Sequence, residues 1–227
     1  MPSHGTTLVR RLRARVHGGW VPGRSAPASE PPGAPADAPT TSASRPVQFI
    51  ASRLRRLVER QTCATVASFG CGDGRELQLL HVPPGRRLKF WGVQPDAQGR
   101  EILRRHAGDG RQVNLVDKAV LRMTAADCPR LDLAYSFGLL ESLKDAKAVR
   151  AMRIMAAQVR PGGEVIVGNW CPRVAPVPPW PRGRRAIPRS APEMQRLADL
   201  AFAPQLWTRS IVHVGAFSYI RARRLAY

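Results

Sequence analysis

Lysine is nearly missing from this chain: of 36 cationic residues, four are Lys and 32 are Arg. Acids are scarce as well, 16 in all, so the formal net charge is +20. That balance admits an anionic partner such as nucleic acid, an acidic lipid surface or a phosphate-bearing substrate. It is also what GC-rich codons produce, since Arg, Ala, Pro and Gly are all abundant and the cations are spread along the whole chain. No apolar run reaches the roughly 18–20 residues of a membrane span, which excludes an integral helical membrane protein. The four cysteines, Cys63, Cys71, Cys128 and Cys171, form no CxxC pair and no Cys/His cluster. That argues against a zinc site or any other metal centre, and against a disulfide scaffold, and it reads as reduced thiols in a cytoplasmic protein. Histidine is sparse and scattered, with no His-based catalytic constellation.

What is present divides by composition. Residues 1–45 are rich in Pro, Ala, Ser, Thr and Gly and are expected to form a disordered basic tail. Arg10, Arg11, Arg13 and Arg15 give its first part the composition of a mitochondrial presequence, although Arg-rich tails are also common in GC-rich bacterial proteins. From Pro46 to Tyr227 the pattern is that of a domain. Phe49, Ile50, Leu54, Leu57 and Val58 recur at helical spacing between arginines and predict an amphipathic helix. Strands are expected at Ala64–Phe69, Leu88–Val93, Val113–Val116, Leu131–Ser136 and Glu164–Gly168. Helices fall between them near Arg75–Leu80, Ala97–His106 and Asp145–Val159. This alternation predicts a doubly wound α/β fold with a mostly parallel sheet. Arg160-Pro161-Gly162-Gly163 reads as a turn that stops a helix before a strand. A Pro-rich stretch with Arg182, Arg184 and Arg185 follows Trp170. A short helix at Pro192–Ala201 and a hairpin of Trp207–Val214 with Ala216–Arg223 complete the chain.

The strongest chemical signal is Val66-Ala-Ser-Phe-Gly70-Cys71-Gly72-Asp73-Gly74-Arg75-Glu76. A strand runs into three alternate glycines and a helix starts, so a ligand can lie against bare backbone with the helix N-terminus facing it. The spacing is GxGxG, and Arg75 stands where a nicotinamide-binding turn would carry its third glycine. About twenty residues on, the second strand ends at Gly92-Val93-Gln94-Pro95-Asp96. Gln94 or Asp96 there can bond the ribose hydroxyls of a nucleoside, while Asp96 is equally suited to cap the next helix.

These motifs, with Leu131-Asp132-Leu133-Ala134-Tyr135-Ser136 and the Pro161-Gly162-Gly163 turn, occur in the order seen in class I S-adenosylmethionine-dependent methyltransferases, which the chain from Pro46 onward resembles. The resemblance implies a seven-stranded sheet with an antiparallel C-terminal hairpin and S-adenosyl-L-methionine as cofactor. It implies cofactor contacts at Ser68, Gly70, Gly72, Gly74, Gln94, Asp96, Asp117 and Ser136. Ser68 stands where that family carries an acid, and Gln94 stands where it carries the ribose acid, so the cofactor site is divergent. A narrower resemblance links Tyr135-Ser136-Phe137-Gly138-Leu139-Leu140-Glu141-Ser142-Leu143 to the "YSAGLFDYL" of proteins related to the extracellular-factor 3-hydroxypalmitate methyl ester synthase group. Val167-Gly168-Asn169-Trp170 is similar to the same group's "GNF" element.

Methyl transfer from a sulfonium leaves the protein mainly to position two reactants. Glu141, after the fourth strand, and Asn169, after the fifth, are the catalytic or orienting candidates, with Trp170 as a wall and Arg182–Arg189 as an anion contact. The expected acceptor is a small molecule, fatty-acid-like or another carboxylate or hydroxyl metabolite. Two alternatives stand beside it. One is a catalytically degenerate binding or regulatory protein. The other is an RNA methyltransferase, motivated by the charge but lacking an Asn/Asp-Pro-Pro-aromatic motif after the fourth strand. The sequence does not specify an oligomeric state.

Overall fold

The computed structural model describes residues 45–70, 72, 74–108, 110–171 and 186–226. The tail expected over 1–45 lies outside these residues except for Arg45, the first residue of helix α1. Helix α1 (Arg45–Arg60) buries Val47, Ile50, Ala51, Leu54 and Val58, a stripe at the helical period, and leaves its arginines outward. Strands β1 (Cys63–Phe69), β2 (Arg87–Val93), β3 (Arg111–Val116), β4 (Leu131–Ser136) and β5 (Val159–Trp170) alternate with helices α2 (Arg75–Gln78), α3 (Ala97–Arg104) and α4 (Asp145–Gln158). Helix α5 (Ala191–Ala201) and the hairpin β6 (Trp207–Val214) and β7 (Phe217–Arg224) follow. A capping box starts α5: Ser190 and Glu193 satisfy one another's end of the first turn.

The seven strands form one sheet in the order β3-β2-β1-β4-β5-β7-β6. β1 to β5 pair in parallel, whereas β7 runs antiparallel to both β5 and β6. This is the doubly wound sheet with an antiparallel C-terminal hairpin that the resemblance implied. The hairpin folds so that its second strand inserts between β5 and the edge strand β6. One face of the sheet packs Leu77, Leu88, Phe90, Leu103 and Tyr135 with the α1 stripe. The other packs Val93, Ala134, Val165 and Val167 with Met152 and Met155 of α4 and Leu197 of α5. Apolar burial on both faces explains why the central strands read as nearly continuous apolar runs.

The sequence places a turn at Arg160–Gly163, but the structure folds those residues into β5 as a bulge. β4 advances from Leu131 to Leu133 while β5 advances from Val159 to Glu164. Gly162 supplies a positive φ of 78°, and a Cβ on Gly163 would come within 2.6 Å of the Val159 side chain. Asp132 closes the same end of the sheet. It accepts from the Thr65 amide at 2.7 Å and is paired with Arg160.

Candidate functional site

Parallel winding brings the carboxyl ends of β1 to β5 to one edge, where ligands of such sheets bind. The strand ends are tied together there. The Gly70 amide donates to the Val93 carbonyl at 2.9 Å and the Gln94 amide to the Val116 carbonyl at 3.0 Å. The Ser136 hydroxyl donates to the Phe69 carbonyl at 2.6 Å. Ser136 and Ser68 are both buried, so their side chains lie inside the sheet rather than in the crevice mouth. The glycine turn itself is mixed. Gly72 has φ +55° and a Cβ built on it would meet nothing within 4 Å, so it borders open space. Gly74 has φ +67°, and a Cβ there would stand 2.4 Å from Leu103 of α3. Bare backbone is therefore needed at Gly72 toward the crevice, but at Gly74 for the close approach of turn and helix. Beneath the turn, buried Glu76 accepts from the Tyr135 hydroxyl at 2.5 Å, a pair that the spacing of the motifs did not reveal.

At the ribose-side positions, Asp96 takes the helix-capping role: its Oδ2 accepts from the Gly99 amide at 2.7 Å. Gln94 lies beside it, partly exposed. Arg100 donates to the Gln94 carbonyl at 2.9 Å and to the exposed Asp117 carboxylate at 2.7 Å. Arg100 thus joins the ends of β2 and β3, a cross-link invisible in sequence because nothing distinguishes this arginine from the others.

The β4 and β5 ends are organised differently. Glu141 sits in a short 3-10 turn, Leu140–Ser142, fully buried. Its Oε1 accepts from the Trp170 amide at 2.8 Å, and its Oε2 has no hydrogen-bond partner among the described residues. Burial pushes its carboxyl up to about 7, against the pull of its own and the Trp170 amide and of Arg189. The amide of Asn169 donates to the Trp170 and Ile187 carbonyls at 3.1 and 3.2 Å. Its oxygen accepts from Arg189 at 3.0 Å. Arg189 is the hub. It is 2% exposed, and its guanidinium also donates to the Leu140 and Leu143 carbonyls and to the Asp145 carboxylate. The Arg189 amide bonds the Trp170 carbonyl at 3.0 Å and the Ile187 amide the Glu141 carbonyl at 2.8 Å.

The structure thus brings Glu141, Asn169, Trp170 and Arg189 together, as their shared strand edge implied. It corrects the role expected of Arg189, whose donors are consumed by the chain itself and do not face an acceptor. Trp170 packs edge-on to Phe217 with ring centroids 5.1 Å apart. Arg182, Arg184 and Arg185, also expected to contact the acceptor, lie outside the described residues.

The left-handed Gly72 over open space, the joined strand ends and the polar groups of Gln94, Asp96 and Asp117 are compatible with an adenosyl cofactor laid along this edge. A family model described as "Methyltransferase domain" matches residues 43–225. No curated protein matches the chain. Among solved structures, a Bordetella parapertussis protein described as a possible exported protein aligns with a TM-score of 0.58 at 21% identity, over 80% of this chain and 67% of that one. An O-methyltransferase family protein from Burkholderia thailandensis aligns with a TM-score of 0.58 at 18% identity, over 80% of this chain and 57% of that one. The 1,6-didemethyltoxoflavin-N1-methyltransferase of the same organism, solved with bound 1,6-didemethyltoxoflavin and S-adenosylhomocysteine, aligns with a TM-score of 0.54 at 18% identity, over 80% of this chain and 79% of that one. At these identities the likeness is one of fold.

Proposed function

The chain belongs to the methyltransferase-domain family, and from that premise we propose that it transfers a methyl group from S-adenosyl-L-methionine to a small-molecule acceptor. The observation that carries this reading is the open, left-handed Gly72 at the joined ends of the parallel strands. Bound there, S-adenosylmethionine would supply a methyl group on a sulfonium, already activated for in-line displacement. The chain's part is to hold and orient. Gly70 and Gly72 offer backbone to the methionine end, with Gly74, Ser68 and Ser136 shaping the turn and strands behind it. Gln94 and Asp96 meet the ribose, and Asp117 lies by the adenine.

In this reading Glu141 and Asn169 are positioning residues. They hold the Trp170 backbone, and with it the indole, as one wall of the acceptor space. An acceptor with an apolar body and an anionic head, such as a hydroxylated fatty acid, suits that wall and agrees with the narrower sequence resemblance. A cytoplasmic setting is part of the same proposal, resting on the sequence's lack of a disulfide-scaffold pattern.

A second reading, a binding protein without turnover, is favoured by one feature: Asp96 and Asp117 are already engaged, as a helix cap and in an ion pair. Titration calorimetry with S-adenosylmethionine and S-adenosylhomocysteine, followed by a screen of carboxylate and hydroxyl acceptors with methyl-labelled cofactor, separates them. Binding with label transfer supports the enzyme. Binding without transfer to any acceptor favours the second reading, and absence of binding to either nucleoside overturns the cofactor site.

A further inference from the structure

A groove of about 360 Å³ opens at the opposite edge of the sheet, where the parallel strands begin. Its walls are α1 and the amino-terminal part of β5 with the end of β7. Helical spacing sets Arg53, Arg56 and Arg60 along one stripe of α1. Strand alternation sets Arg221 and Arg223 on the β7 face shared with Tyr219, whose ring lies 4.8 Å from Phe49 of α1. Five guanidinium groups therefore converge from two elements.

The groove's two acids are already committed. Glu164 accepts from Arg221 at 2.5 Å, and Asp132 is held by Arg160 and the Thr65 amide. Among the described residues, Arg53, Arg56, Arg60 and Arg223 have no carboxylate within ion-pair distance. Arg53 is partly buried among them, and its pKa is lowered first by that burial and then by Arg221, Arg56 and Arg60, with Glu164 opposing. Arg221 is partly buried too, while Arg56, Arg60 and Arg223 are exposed, so the gathered like charges repel one another at a solvent-open groove where a bound anion would relieve them. An adjoining hollow of about 210 Å³ shares Arg221, Arg223 and the Arg221-paired Glu164, and adds Arg209 with the hydroxyl residues Thr208 and Ser210. Guanidinium forks and hydroxyls are the donors that match phosphoryl oxygens. The recessed shape and volume suit a compact ligand more than the backbone of a long polymer.

We propose that this groove binds a compact polyanion carrying two or more phosphoryl groups, at a site separate from the cofactor crevice. The cations left over after internal pairing set its charge, and the volume of the groove sets its size. Because the chain is so basic, the test must distinguish a built site from bulk charge. Inorganic tripolyphosphate is titrated calorimetrically into the full chain, into Arg56→Ser/Arg223→Ser, and into the control Arg122→Ser/Arg150→Ser, which removes the same charge from exposed positions elsewhere. One-to-one binding is expected, weakened about tenfold or more in the groove variant and about twofold or less in the control. Arg56→Lys/Arg223→Lys, which keeps charge and loses the forks, is expected to weaken binding severalfold, and it serves as the test if the serine variant shows a lowered unfolding midpoint. Absent or many-site binding, or equal weakening in groove and control variants, overturns the proposal. So does a short single-stranded RNA that binds through the same arginines with a steep salt slope and is not displaced by tripolyphosphate.

Discussion

The two halves of the carboxyl edge are built on opposite principles. Around β1 to β3 the backbone is bare and open: Gly72 borders empty space, and Asp96 and Asp117 are exposed. Around β4 and β5 the polar groups are buried and turned on one another, with Arg189 bonding Leu140, Leu143, Asn169 and Asp145. A buried polar group satisfied by its own chain has little left for a ligand, whereas bare backbone facing open space, as at Gly72, lets a ligand approach closely. In the proposed function the first half binds and the second positions, although both halves carry residues of the kinds that catalysis uses.

Arg189→Ala should break the second half most severely. It leaves the Leu143 carbonyl and the Asn169 amide oxygen without the guanidinium donor and takes one of two donors from the Leu140 carbonyl and from Asp145, which keep the Leu143 amide and Arg196, and a loss of about 3 kcal/mol in denaturant unfolding is expected. A loss below about 1 kcal/mol, with turnover of anionic acceptors abolished, would restore Arg189 to the ligand.

Glu141 gives the next largest effect, and its sign is definite. Its folded-state value of about 7 lies above the ordinary 4.5, so the folded protein retains a proton that the unfolded chain releases. Stability from this group is complete below about 4.5 and is lost as pH rises through about 7, by about 3 kcal/mol at most. Glu141→Gln should flatten that decline, making the variant more stable than the parent at pH 8 and nearly equal to it at pH 5. Parallel stability curves for the two proteins between those pH values would refute the buried, protonated carboxyl.

The glycine turn sharpens the contrast within the first half. Gly74→Ala drives a methyl into Leu103 at a left-handed residue and should cost about 2 kcal/mol of stability. Gly72→Ala meets open space and should cost only about 1 kcal/mol. Its cofactor affinity, measured by calorimetry, should nevertheless fall about tenfold or more, because the added methyl enters the space assigned to the ligand. Unchanged affinity in the folded Gly72→Ala protein would move the cofactor elsewhere.

Local rules carried much of this molecule from sequence to fold. Apolar runs of strand length, the helical stripe of α1 and the turn glycines each follow from short-range periodicity, and they located β1 to β5, the crevice-bordering Gly72 and the strand-end positions of Gln94, Asp96, Glu141 and Asn169. The Pro161-Gly162-Gly163 element was visible too, but whether it would end a helix or bulge a strand depended on its pairing with β4. Only tertiary structure decided which polar groups are spent internally. Arg189 and Arg100 are two among 32 arginines, and their side-chain partners lie 20 to 49 and 6 to 17 residues away. Burial likewise singled out Glu141, and only the meeting of α1 with β7 gathered five arginines into one groove. Periodicity reports which face a residue takes. Desolvation and long-range pairing, which settle what a charged side chain can still do, exist only once distant segments meet.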